Sequence, residues 1–313
     1  LTGDAQIRRR PAGPLADSLT DLGAKVRSTR ANGCAPFIVE GTLRGGETTI
    51  ECKTSQYLSS LLINCPLAEG DSLIHVPLLN EVPYVEMTLD WLARQKINIE
   101  RDGMREFRIR GGQTYTAFDV RIPADFSTAT FFLAAGAMPG NEVTCIGLDM
   151  NDTQGDKAVV DYLRQMGAQV SIEEDRVTVR GDQLTGCDLD LNATPDALPM
   201  MAALACFATG TTRLLNVPQA RMKETDRIAV MRMELEKFGA KIEELPDGLV
   251  IHESRLQSST DLHSHDDHRV VMSLAIAATG IPGKSTIRAA EAAAVTFPGF
   301  VDALLNVNGK IAK

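Results

Sequence analysis

A phrase of helix, glycine and strand recurs along the chain, and no other feature restricts the fold as much. DSLTDLGAKV places Gly23 after a helical pattern and before a strand; DYLRQMGAQVSI does so with Gly167, and MELEKFGAKI with Gly239. DWLARQKINI keeps the frame with Lys96 at the glycine position. These positions lie 73, 71 and 72 residues apart. A second phrase, an apolar helix followed by a turn and a short strand, carries Gly70, Gly140, Gly210 and Gly283 at spacings of 70, 70 and 73. Two phrases on one period define a repeated supersecondary unit of about 72 residues. The glycines suit helix ends, where positive φ carries little penalty for them. The second set of helices is apolar all round and is expected to be buried.

Between the phrases, VSIEEDRVTVRG and KIEELPDGLVIH read as hairpins with one wet face, the second turning at Asp247-Gly248. The unit therefore reads as roughly helix, strand, helix and strands, α/β with a mixed sheet, and the chain holds a little over four copies. RIPAD opens a new segment, and Pro123 disfavours helix through Ile122. One lobe is expected over residues 1–122 and a second over 123–313.

Composition narrows the function. The chain has 313 residues, 44% hydrophobic, with a net charge of -9. That acidic balance argues against nucleic acid as a partner. No apolar run is long enough to span a membrane. Arg8, Arg9 and Arg10 precede Pro11 without the apolar stretch of a signal peptide. Six cysteines without close pairs suit a reduced, cytoplasmic protein. No GxxxxGK[ST] or GxGxxG loop is present, so nucleotide chemistry is not expected.

Charged residues gather at expected helix starts. Arg221-Met222-Lys223-Glu224-Thr225-Asp226-Arg227 leads into a helical run. It is either a solvated start capped by Thr225 or Asp226, or an anion clamp with Lys223 and Arg227 on one helical face. His265-Asp266-Asp267-His268-Arg269 precedes a buried run; Arg269 there needs a partner, Asp267 or an outside anion. His263, His265 and His268 are better read as loop and positioning residues than as a metal site. Asp196 fits a first turn and, in a cleft, the role of a proton acceptor. Thr54, Ser55 and Gln56 open a further helix, whose free N–H groups and hydroxyls suit phosphate. Pro11 fits a first helical turn.

LTGD followed by RRRP, TSQYLSSLL, VPYVEMTL, DFSTATFFLAAGA, TPDALPM, RMKETDR and DDHRVVMSLA resemble the 5-enolpyruvylshikimate-3-phosphate synthase family in order and spacing, over nearly the whole chain. The resemblance implies the two-domain enolpyruvyl transferase fold, an inside-out α/β barrel of six repeats, here incomplete. It implies transfer of the enolpyruvyl group of phosphoenolpyruvate to the 5-hydroxyl of shikimate 3-phosphate, with release of phosphate. No cofactor or metal is implied, and a monomer, the target of glyphosate in many members, is expected. By motif, Arg10, Arg227 and Arg269 match phosphoenolpyruvate ligands. Lys223 and Glu224 match the proton-transfer and anion-holding pair, and Lys223 also matches a shikimate 3-phosphate contact. Asp196 matches the carboxylate on the 5-hydroxyl. Thr54, Ser55, Gln56 and Tyr84 match shikimate 3-phosphate ligands, and Gln219 falls where Asn is common.

Three departures stand out. Glu81 replaces a phosphate-binding serine, so it must point away or the acceptor must differ. Val295 replaces a lysine. The resemblance also implies a preceding segment that supplies a Lys, a Ser, an Arg and a glycine-rich loop, upstream or on a companion fragment; the chain alone is then a crippled enzyme. The sister transferase acting on UDP-N-acetylglucosamine and a non-catalytic homologue are the alternatives.

Overall fold

A computed structural model describes residues 1–312. Residues 1–121 and 122–313 form two units, each with its own apolar core. In the first, α1 (Gly13–Asp21) leads to the hairpin β1 (Lys25–Ser28) and β2 (Phe37–Glu40). Then come β3 (Gly46–Cys52), α2 (Ser55–Asn64), β4 (Ser72–Leu79), α3 (Val82–Arg94), β5 (Ile99–Asp102) and β6 (Glu106–Ile109). The proline in the first turn of α1 is Pro14 and not Pro11, which instead bridges to Cys34.

The second unit begins with α4 (Phe126–Ala137), β7 (Glu142–Ile146), α5 (Val159–Gln165), β8 (Gln169–Glu173) and β9 (Arg176–Arg180). It continues through β10 (Asp188–Asp190), α6 (Leu198–Ala205), β11 (Thr211–Leu215), α7 (Arg227–Glu236), β12 (Lys241–Leu245) and β13 (Gly248–His252). It closes with β14 (Leu262–His263), α8 (His268–Thr279), β15 (Ile287–Arg288) and α9 (Phe300–Asn306).

The repeat is explicit in the strand order. Sheets β3-β4-β6-β5 and β10-β11-β13-β12 have one design: a parallel pair joined through a helix, then an antiparallel hairpin. Each is a complete βαβαββ unit. Sheet β7-β9-β8 and the pair β14-β15 show parts of the same order. Gly23, Gly167 and Gly239 sit at φ of 102°, 97° and 91°, and Lys96 adopts 59° at the matching position. The first phrase therefore marks a left-handed turn that ends the helix and aims the next strand.

Three expectations need correction. Gly70 is not among the residues with positive φ, unlike Gly140, Gly210 and Gly283. The second hairpin turns at Pro246-Asp247, because Gly248 already pairs with Leu245 inside the ladder. Any Cβ on Gly248 would lie 1.9 Å from the Leu214 carbonyl oxygen, so glycine is needed there for close strand approach and not for the turn. Finally, α4, α6 and α8 are buried on nearly every side and pack on one another, but α2 buries Leu58, Leu61 and Leu62 while leaving Ile63 exposed.

Candidate active site

Four helix starts of the second unit meet at one group of charges. Asp196 lies in the 3-10 turn that leads into α6, Arg227 opens α7, Arg269 stands in the first turn of α8, and Ser127 in that of α4. Arg227 is the hub, with its side chain 1% exposed. It donates from Nη1 to Asp196 Oδ1 (2.7 Å), from Nη2 to Glu224 Oε2 (2.6 Å), and from Nε and Nη2 to the two oxygens of Asp267 (2.8 and 3.2 Å). A cation at a helix N-terminus opposes the helix dipole, and its burial is unfavourable. Three carboxylates offset both effects, and they raise the Arg227 pKa against the effect of burial.

Asp196 collects cations in turn. Arg269 Nη2 lies 3.3 Å from Oδ2, and Lys223 Nζ lies 3.7 Å from Oδ1. Burial pushes the Asp196 carboxyl up, but Arg269, Lys223 and Arg227 together hold it well below the usual carboxylate range. Asp267 is treated alike: burial raises its pKa, and Arg227 lowers it further. Asp267 also caps α8, accepting from Arg269 N and Val270 N. The guanidinium of Arg269 reaches away from it, to Asp196 and to Ser127 Oγ at 2.8 Å.

Lys223 does not share a helical face with Arg227. Residues 223–226 form a bend ahead of α7, and Asp226 caps that helix by accepting from Ala229 N. Nor does Lys223 face open solvent, since its side chain is 13% exposed against Asp196. Three cations, Lys223, Arg227 and Arg269, meet three carboxylates, Asp196, Glu224 and Asp267. The two cations expected as an anion clamp, Lys223 and Arg227, already lie against carboxylates here. Gln219 is 2% exposed and donates to the Asn192 carbonyl, so it braces a loop from behind.

In the first unit the expected phosphate seat at the start of α2 is engaged. Glu81, only 1% exposed, points its carboxylate into it: Ser55 N (3.1 Å), Ser55 Oγ (2.8 Å) and Thr54 Oγ1 (3.3 Å) all donate to Oε2. The side chain therefore does not point away, and the N–H and hydroxyls at this start are not free. Glu81 takes φ of 59° at the N-cap of α3, where a non-glycine residue carries about 1–2 kcal/mol of strain. Thr54 is the N-cap residue of α2 but makes no capping bond of its own; Glu81 supplies the acceptor. Gln56 is exposed and Tyr84 half-buried. Beside them, Tyr57 donates to the Pro11 carbonyl. Burial raises the Tyr57 pKa, and the Arg10 charge partly offsets this, which puts Arg10 near the α2 start.

Ser127 and Glu234 escaped the sequence reading. Ser127 sits two residues past Asp125, whose capping pattern was the available signal. His263 and His265 are engaged with Glu234 on α7, and burial with Arg269 and Arg227 lowers the His268 pKa.

The fold of this chain is similar to that of solved enolpyruvyl transferases. An EPSP synthase from Acinetobacter baumannii is similar at TM-score 0.81 and 26% identity, over 98% of this chain and 72% of that one. The model of the EPSP synthase (3-phosphoshikimate 1-carboxyvinyltransferase) family matches residues 1–304. The 3-phosphoshikimate 1-carboxyvinyltransferase of Ruminiclostridium cellulolyticum is 51% identical over 311 residues, 99% of this chain and 74% of the relative. That of Acetivibrio thermocellus is 54% identical over 304 residues, 97% of this chain and 72% of the relative. The chain belongs to the EPSP synthase family. Its reaction is the enolpyruvyl transfer of the shikimate pathway, which serves amino-acid biosynthesis. Among the described residues no helix is long and apolar enough to cross a membrane.

Proposed function

We propose that the cluster around Asp196 is the catalytic centre for this transfer. One observation carries the reading: a single carboxylate is ringed by Arg227, Arg269 and Lys223 at converging helix starts. Phosphoenolpyruvate brings a phosphate and a carboxylate, which compete with Asp196 for these cations; Arg10 is assigned to the same substrate by motif. As the cations turn to the substrate, Asp196 loses what depresses its proton affinity. It then accepts the proton of the 5-hydroxyl while that oxygen bonds to the central carbon of the enolpyruvyl group. Lys223 or Glu224 delivers a proton to the methylene carbon. The tetrahedral adduct then collapses: a proton leaves its methyl group for the base that had delivered one, the C=C bond re-forms, and the bond to phosphate breaks, with the leaving charge stabilised by the same cations.

Thr54, Ser55, Gln56 and Tyr84 are assigned to shikimate 3-phosphate. Gln219 and Lys223 are also assigned to shikimate 3-phosphate by motif. Glu81 means that the α2 start receives the acceptor through rearranged groups and not through open donors. The protein is read as a cytoplasmic monomer that acts on two small anions, without nucleic acid.

Phosphate release by the full-length gene product tests the reading, with phosphoenolpyruvate and, in parallel, shikimate 3-phosphate, shikimate and UDP-N-acetylglucosamine. Turnover with the first acceptor alone is expected. Turnover with UDP-N-acetylglucosamine in its place would overturn the acceptor assignment.

A further inference from the structure

We propose that Glu234 and His265 form a positioning pair for this reaction, holding the strained turn that places Asp267 and Arg269. The proposal rests on the reading of Arg269 as a phosphoenolpyruvate ligand.

Glu234 lies on α7 with its side chain fully buried, a location a carboxylate takes only with several partners. It has them. Oε1 meets Lys237 Nζ at 2.9 Å and His265 Nε2 at 2.8 Å. Oε2 meets Lys237 Nζ at 3.0 Å and accepts the His263 backbone N–H at 2.9 Å. Lys237 also donates to the Asp261 carbonyl. The carboxylate thus fixes residues 263 and 265 of the segment that enters α8, and its partner Lys237 fixes residue 261.

That segment is strained where it is fixed. His265 and Asp266 adopt φ of 54° and 59° in succession, neither being glycine. Such conformations persist where the surroundings over-determine them. The restraints are visible: His265 N donates to His263 Nδ1, Asp266 N to Ser264 Oγ, and Ser264 Oγ to the Ala289 carbonyl. The next residue is Asp267, which caps α8 and grips Arg227 with both oxygens; two residues later comes Arg269.

The start of α8 is therefore tied to α7 at two points. Arg227 binds Asp267 at the first residue of α7. Glu234 binds His265 seven residues on, about 10 Å along the helix axis. A rigid helix held at both points fixes the direction of the Arg269 side chain toward Asp196. His265 acts through Arg269, with no role in the chemistry itself.

The test uses the full-length gene product. His265→Asn, which tolerates positive φ but is too short to reach Glu234, is expected to lower kcat/KM for phosphoenolpyruvate about tenfold, as expected for a catalytic cation displaced by a fraction of an ångström. The KM for shikimate 3-phosphate should stay within about twofold, since additive behaviour holds between uncoupled sites. His265→Gln, whose amide reaches Glu234, should recover most of the loss. In an Arg269→Lys background the His265→Asn change should have no further effect, because residues acting as a unit are non-additive. Wild-type kinetics for His265→Asn would overturn the proposal, as would an equal loss in both backgrounds or no recovery with Gln. Arg269→Lys without any rise in KM for phosphoenolpyruvate would instead overturn the underlying assignment of Arg269.

Discussion

Lys223 looks like a surface residue in sequence and is not one in space. In sequence it sits in a run of polar residues; in space it lies beside a carboxylate that two arginines also claim. Removing it leaves Arg227 and Arg269 on Asp196, so the fold should survive while proton transfer should not. Lys223→Met is expected to lower kcat by about 10²-fold or more, with a melting temperature close to that of the parent. A variant of equal activity would remove Lys223 from the chemistry. Glu81 makes the opposite kind of statement. It accepts three hydrogen bonds at the start of α2, so Glu81→Ala should destabilise the chain by about 1–3 kcal/mol, read as a lower urea midpoint. An unchanged midpoint would show that water replaces the carboxylate without loss.

At the scale of elements, the repeat was the most legible property of the chain. Its period came from glycines whose backbone conformation is dictated by the helix-to-strand turn, a local requirement that leaves a local mark. Lys96 shows that the turn, and not the glycine, is what recurs. Contacts between segments distant in sequence left no such mark. The Glu81 carboxylate reaches back 26 residues to Ser55, and Arg269 reaches 142 residues to Ser127. Motif spacing announced neither contact. The Lys223–Arg227 face was misread because four-residue spacing implies a shared face only where the backbone is helical, and Asp226 starts the helix after Lys223. The apolar helices α4, α6 and α8 were read correctly as buried. Leu274 on α8 is fully buried among them, so Leu274→Ala should cost about 2–5 kcal/mol, measurable by denaturant unfolding. A loss below about 1 kcal/mol would mean that the three helices collapse around the cavity.

At the scale of the whole molecule, charge balance sets the pH response. Asp196 and Asp267 both have depressed pKa values in the folded state. Their stabilising contribution is therefore complete above the unfolded carboxylate value, about 3.9, and is lost as pH falls through the lower folded values. The second unit should hold its structure from pH 7 to about 4 as far as these two groups are concerned, then unfold cooperatively in stronger acid. Acid titration followed by circular dichroism checks this; a transition near pH 6 would point to other groups. In the resting cluster each of the three cations already lies against a carboxylate. Substrate binding must then redistribute partners within it.

In the proposed function, Asp196 is where that redistribution becomes chemistry. The most direct measurement is the single-turnover rate of Asp196→Asn in the full-length gene product, with phosphoenolpyruvate and shikimate 3-phosphate both saturating. Loss of the proton acceptor should slow formation of the tetrahedral adduct by about 10²- to 10⁴-fold while both substrates still bind. A rate within about threefold of the parent enzyme would mean that Asp196 only neutralises its three cations, and the chemistry would have to be sought elsewhere.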